Sequence, residues 1–257
     1  MKIAVLTKAI PSYESLIRID TSSKWIDDSL VNYVINESDA YALEEALKIK
    51  ESLADNSEVV VVSMGSEDKC SKIIKDGLAK GADRAILIDS QEKISDPLSI
   101  ATLISDCIKD EQFDLVFSGL QSDDLGSGQV GVLLGEKLKM STATLAIETQ
   151  IEPSAIRVKR ELESGWFQWL TLPLPASISI QSGINNPRYP SLKGIMGARN
   201  KEVAKHNSNQ FSNNQLQSMV ELYIPSNEKQ AEKIEGDSKS VASRILEILK
   251  NDLRVIQ

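Results

Sequence analysis

The sequence predicts an α/β fold in which a parallel sheet is wound by helices on both faces, with added edge strands and a C-terminal extended arm. Three observations predict it. Short apolar runs at residues 3–7, 58–63, 84–88 and 114–118 have the length and continuity of strands buried on both faces. The segments between them carry apolar residues at helical spacing, so strand and helix alternate as in a βαβ winding. After residue 139 four strand-length segments follow without an intervening helix, which adds mixed or antiparallel strands at the sheet edge.

Taken in order, residues 3–7 form a central strand and residues 8–15, with Pro11 and Tyr13, the loop after it. Residues 16–19 and 31–35 are expected to pair as short strands. Asn36, Ser38 and Asp39 offer N-caps to a helix whose inward stripe is Ala42, Leu43, Ala46, Leu47 and Leu53. The strand at 58–63 turns through Met64, Gly65 and Ser66 into a helix with Cys70, Ile73, Ile74 and Leu78 inward, stopped by Gly81. A strand at 84–88, a helix at 97–109 and a strand at 114–118 lead to a glycine-rich loop and a helix at 129–138. The added strands are 143–149, 155–159, 166–172 and 176–181, and a short helix follows at 192–199.

From residue 201 the chain is polar and too poor in apolar residues to fold by itself. The expected division is therefore an α/β nucleotide-binding domain over 1–200, and over 201–257 an arm and helix that packs on a partner subunit or back on the domain. Within the arm, residues 219–224 read as a strand and Val241, Ile245, Ile248 and Leu249 as a helical stripe.

Composition excludes several function classes. The 257 residues carry 29 Lys+Arg against 37 Asp+Glu, a net charge of −8, which argues against non-specific binding to nucleic acid or anionic membrane. Cys70 and Cys107 are the two cysteines and His206 the one histidine, so a disulfide framework, a Cys- or His-rich metal site and a His-based triad are not expected. No apolar run approaches 18 residues, and the chain opens directly on a strand. No membrane insertion and a cytoplasmic location are expected.

The candidate site centres on residues 118–131, Ser-Gly-Leu-Gln-Ser-Asp-Asp-Leu-Gly-Ser-Gly-Gln-Val-Gly, between a buried strand and a helix N-terminus. Such a junction presents unpaired N–H groups and a positive dipole end to an anion. Residues 126–131 also spell G-x-G-x-x-G, but the glycines stand away from the strand end and Asp123 and Asp124 stand beside them, unlike a dinucleotide fingerprint. A solvated loop shaped by Gly and capped by Asp is the plainer alternative. In a parallel sheet the loops 8–13, 63–66 and 121–129 would meet at one crevice. Glu44 and Glu45, about 100° apart on a helix, read as a solvated edge, and Trp25, Trp166 and Trp169 as packing residues. No Walker A sequence, nucleophile elbow or CxxC pair occurs, so the residues describe a nucleotide-binding module without a catalytic set.

Several stretches together resemble the β subunit of electron transfer flavoprotein. Lys8 and Tyr13 stand at matching places, and residues 36–46 (Asn-Glu-Ser-Asp-Ala-Tyr-Ala-Leu-Glu-Glu-Ala) are similar to the family's Asn-Pro-Phe-Asp-Glu-Ile-Ala-Val-Glu-Glu-Ala. Residues 81–84 and 119–131 fit without a gap. The most specific match is 160–168, Arg-Glu-Leu-Glu-Ser-Gly-Trp-Phe-Gln, followed by Leu-Pro-Leu-Pro-Ala at 172–176, with 186–189 and 192–196 completing the series. Glu37 and Ser38 replace the family's Pro-Phe pair, and Gly126 replaces an aspartate.

The resemblance implies an adenine-nucleotide α-hydrolase-like fold and a heterodimer with an α subunit that holds the redox-active FAD. This chain would bind AMP structurally, or a second FAD in its place as in bifurcating members. It implies a phosphate on the backbone of Gly126, Ser127, Gly128, Gln129 and Val130, with Asp124 in the loop, and an adenine side near Ala9, Asn36, Ser63, Met64 and Gly65. Tyr13 would approach the partner's flavin, and Leu192 would anchor in a dehydrogenase. Electrons would come from acyl-CoA or other flavin dehydrogenases and pass to electron transfer flavoprotein-quinone oxidoreductase. A stand-alone nucleotide-binding regulatory protein of the same fold, and an NAD-dependent enzyme using the Gly126 loop, are the alternatives.

Overall fold

The computed structural model describes residues 1–53, 57–90, 94–210, 215–225 and 233–256. Among them, in chain order, lie β1 (Lys2–Thr7), β2 (Ala9–Pro11), β3 (Tyr33–Ile35), α1 (Glu37–Leu53), β4 (Glu58–Gly65), α2 (Glu67–Lys80), β5 (Arg84–Asp89), α3 (Pro97–Ile108), β6 (Leu115–Gly119), α4 (Val130–Lys137), β7 (Ser141–Glu152), β8 (Ala155–Glu161), β9 (Phe167–Pro173), β10 (Ala176–Ile180), α5 (Leu192–Ala198), β11 (Val203–Asn207) and α6 (Ser238–Glu247). The chain forms two compact units, Met1–Leu222 and Tyr223–Gln257. In the second, Asp237 caps α6, its carboxylate accepting from the Lys239 and Ser240 N–H groups. The helix continues as a π-helical turn over Ile248–Asp252.

In the first unit one sheet runs β11-β5-β4-β1-β6-β10-β7-β8-β9, parallel from β11 to β7 and antiparallel from β7 to β9. The period of two along β1 sends Ile3 and Val5 to a core shared with α1 and α2, and Ala4 and Leu6 to a core shared with α3 and α4. Both faces are thus covered by helices, which is why the Val-Val-Val-Val run of β4 is buried throughout. Helix ends follow their sequence signals. Asp96 caps α3 ahead of Pro97, and Gly81 ends α2 at φ 137°. Because β4 lies on one side of β1 and β6 on the other, the winding reverses between β1 and β6. Loops leaving the carboxyl ends there diverge to opposite faces and open a crevice.

Several sequence expectations are corrected. Residues 16–19 do not pair with 31–35. Instead β3 pairs antiparallel with β2, Ile10 opposite Val34, and Ile19 bridges Ile26. Proximity decides this, since β2 is the direct continuation of β1 and α1 begins at the end of β3. The last added strand is not at the edge: β10 lies parallel between β6 and β7, its five residues buried. Val203–Asn207, within the stretch read as a polar arm, is a parallel edge strand beside β5, so the boundary expected at residue 200 falls inside the first unit. An edge strand buries one face, which a polar sequence satisfies. Residues 219–224 form no strand, and residues 211–214 and 226–232 of the expected arm lie outside the described residues. Trp166 is exposed rather than packed, whereas the Arg157 guanidinium lies 4.5 Å over the Trp169 ring.

Glu44 and Glu45 are not a solvated edge. Both are 7% exposed, and their angular divergence gives each its own partner. Arg188 donates to Glu44 from Nε at 2.8 Å and Nη2 at 3.0 Å, while Glu45 accepts from Thr149 Oγ1 at 2.6 Å and Asn185 Nδ2 at 3.0 Å. Arg188 also holds Glu51 below the usual carboxylate range. These bonds tie α1 to β7 and to the segment before α5. Arg188→Met strands a buried carboxylate, and since the arginine is itself 31% exposed the expected loss is about 2–3 kcal/mol, below the value for a fully buried pair. Urea denaturation of Arg188→Met against the Glu44→Gln/Arg188→Met double variant checks this, the double variant recovering part of the loss.

Candidate functional site

At the carboxyl ends of β1, β4 and β6 a cavity of about 1160 Å³ opens, lined by the loops after all three strands. Its geometry is set by the start of α1. The Asp39 carboxylate accepts the Lys8 N–H at 2.8 Å and the Gly119 N–H at 2.9 Å, so one buried side chain joins the ends of β1 and β6. Asn36 Nδ2 and Ser38 Oγ both donate to the Gln121 carbonyl, at 2.9 and 2.8 Å, and Asn36 Oδ1 accepts the Asp123 N–H. Gly119 is required at this junction, because a Cβ there would collide with Ser38 Oγ and Asp39 Oδ1.

Beyond Gln121 the loop is closed by its own chemistry. Lys8 Nζ donates to Asp124 Oδ1 at 2.7 Å and to Ser122 Oγ at 3.3 Å, and Asp124 accepts the Leu125 N–H. Gly126 and Gly128, at φ 64° and 62°, turn the chain into α4. Gln129, the N-cap of α4, makes no side-chain cap. Among the described residues no side chain accepts from the first-turn N–H groups of α4, the arrangement that receives an anion. Ser177 Oγ in β10 donates to the Gly131 carbonyl at 3.0 Å and fixes where the helix starts. The hydroxyls of Thr7 and Ser118, at the ends of β1 and β6, are buried without a protein partner.

Ala9, Asn36, Met64, Gly65, Asp124, Ser127, Gly128, Gln129 and Val130 all line the cavity, as does Tyr13. Ser63 does not: its hydroxyl is spent on the Thr7 carbonyl at 2.9 Å. Gly126 does not either, its N–H closing a turn on the Ser122 carbonyl at 2.8 Å. Tyr13 is 78% exposed at the rim, its phenol held above the ordinary range mainly by a hydrogen bond to Asp123. Leu192 lies outside the cavity, 82% exposed on α5. Sequence reasoning missed Trp25, Met219 and Leu222, which line the cavity from distant parts of the chain. It also passed over the hydroxyls of Thr7 and Ser118, whose signal was available: each is a polar residue at the carboxyl end of an otherwise apolar strand. No helix is long and apolar enough to cross a membrane, and no group of His, Cys, Asp and Glu is arranged to hold a metal ion, among the described residues.

Fold and crevice define an α/β protein with a cavity at the switch point of a parallel sheet. The model of the electron transfer flavoprotein domain family matches residues 24–210. Three relatives described as electron transfer flavoprotein subunit beta align over nearly their whole lengths. The one from Methylophilus methylotrophus is 35% identical over 260 residues, covering 97% of this chain and 98% of the relative. That from Bacillus subtilis is 29% identical with 100% of both covered, and that from Syntrophomonas wolfei 32% identical with 99% of both covered. The chain belongs to the electron transfer flavoprotein family, among its β subunits.

Burial pushes the Asp39 carboxyl up to about 7, against the opposing pull of the Lys8 N–H, Asn36 and the Gly119 N–H. Its unfolded value is near 3.9, so between about pH 4 and pH 7 the folded state binds more protons, and this group's contribution to stability declines as pH rises. Asp39→Asn removes that decline and leaves one backbone N–H facing an amide donor, a loss of about 1–3 kcal/mol. Urea denaturation of both proteins at pH 5 and pH 7.5 is the check: the deficit of the variant is expected to be larger at pH 5.

Proposed function

We propose that this chain is the structural, non-catalytic half of a cytoplasmic electron transfer flavoprotein heterodimer, binding AMP in the cavity at the switch point while FAD is held with the α subunit. The FAD supplies the redox chemistry. Electrons enter from acyl-CoA or other flavin dehydrogenases and leave toward electron transfer flavoprotein-quinone oxidoreductase. The observation that carries the nucleotide is the uncapped first turn of α4 at the floor of the cavity, held open by a loop fastened to Asn36, Ser38 and Lys8. These residues fit a phosphate: the donors are backbone N–H groups and hydroxyls, and Asp124 is already neutralised by Lys8. Lys8, Asn36 and Asp39, among the polar side chains at the cavity, are spent on fastening loops, which supports a holding role over an NAD-dependent reaction.

A second reading, with FAD in place of AMP, is favoured by size. At about 1160 Å³ the cavity exceeds the usual range for one small ligand, and Ile100, Ile104, Trp25 and Met219 give it an apolar extension. On either reading Tyr13 stands at the rim toward a partner's flavin, and the exposed face of Leu192 and Met196 on α5 docks a dehydrogenase. Residues 223–257 serve as an arm for the α subunit.

Mass spectrometry of the nucleotides released from this chain co-purified with its α subunit tests both readings. One FAD and one AMP per heterodimer is the expected result, two FAD and no AMP selects the second reading, and chains that never associate refute the subunit role. Leu192→Ala is expected to raise the half-saturating concentration for the donor dehydrogenase about tenfold, the scale of an interface anchor cut to alanine. Flavin content should not change, and steady-state reduction assays at varied donor concentration read the shift.

A further inference from the structure

We propose that Ser118 is a direct ligand of the nucleotide, its hydroxyl donating to a phosphate oxygen seated on the first turn of α4. This rests on the nucleotide reading above and adds a side chain to a site otherwise made of backbone. Ser118 lines the cavity, is 7% exposed, and its Oγ is buried without a protein partner. A buried hydroxyl left unpaired costs about 1–3 kcal/mol, so a fold that retains one at the floor of a cavity has a place for an acceptor there. The hydroxyl lies against α4, because a Cβ on Gly131 would collide with Ser118 Oγ and meet its Cβ at 3.1 Å. Gly131 is the second residue of α4, so hydroxyl and uncapped N–H groups face the same small volume.

The charges around this volume set the class of ligand. Each lysine lining the cavity is engaged: Lys8 with Asp124 at 2.7 Å, Lys69 with Asp28 at 2.5 Å and Lys72 with Asn32 Oδ1 at 3.0 Å. Asp123 and Asp124 stand in the same loop. A single phosphate monoester is matched by neutral donors of this kind, whereas a triphosphate would bring further charge against carboxylates with no unengaged lysine among the described residues that line the cavity. The ligand class is therefore a nucleoside monophosphate, or the first phosphate of a dinucleotide, with Ser118 reading the phosphate and not the base.

The test uses the heterodimer stripped of its cavity nucleotide and titrated calorimetrically with AMP, FAD and adenosine. Ser118→Ala is expected to weaken AMP about 10- to 100-fold, the factor for one hydrogen bond to a charged group, and to leave adenosine within twofold. Because the hydroxyl has no partner in the protein, the ligand-free variant should melt at or above the wild-type temperature, a result that a structural serine would not give. Gly131→Ala, which forces a methyl onto the same oxygen, should also weaken AMP. Unchanged AMP affinity in Ser118→Ala, or equal losses for AMP and adenosine, overturns the assignment. Wild-type protein that binds neither AMP nor FAD overturns instead the nucleotide reading beneath it.

Discussion

One buried carboxylate holds the crevice together. Asp39 enters from the first turn of α1 and accepts backbone N–H groups from the loop after β1 and from the end of β6, the two strands between which the winding reverses. Neither strand end can satisfy the other's N–H across a diverging crevice, so the acceptor has to come from a third element. Around this junction the remaining bonds fall into place: Asn36 and Ser38 take the next carbonyl of the loop, and Gly119 is small because the carboxylate and hydroxyl occupy the space a side chain would need. Ser38 is thus part of the fastening.

The same division of labour runs through the site. Side chains fasten loops to one another, while the first-turn N–H groups of α4 and the hydroxyls of Thr7 and Ser118 have no side-chain partner among the described residues. Lys8, Asn36, Ser38 and Asp124 are each engaged in this fastening.

Much of the fold was legible because it depends on local pattern. The apolar runs of β1, β4, β5 and β6, the stripes of α1 and α2 and the glycine stop at Gly81 are each fixed by near neighbours in sequence. What stayed hidden depends on distant partners. The sequence Ala-Ser-Ile-Ser-Ile of β10 looks the same whether it lies at an edge or between two parallel strands, and only the gap beside β6 decides. The burial of Glu44 and Glu45 is decided by Arg188 and Asn185, far along the chain. The turn within 118–131 was readable from its glycines, but Ser63 and Gly126 turned out to be committed to bonds within the protein. Trp25 and Met219 carry no local signal of sharing a cavity.

The placement of β10 bears on the order in which the molecule is assembled. The antiparallel wing β7-β8-β9 closes through neighbouring turns and needs only short-range contacts, the fast kind. It acquires its position in the sheet only when β10, made after all three, pairs with β6 on one side and β7 on the other. A nascent chain therefore exposes the open edge of β6 until β10 arrives, and the start of α4, fastened by Ser177, is set at the same moment. The crevice beside β6 thus takes its final shape from the C-terminal side, after the loops that line it have already been made.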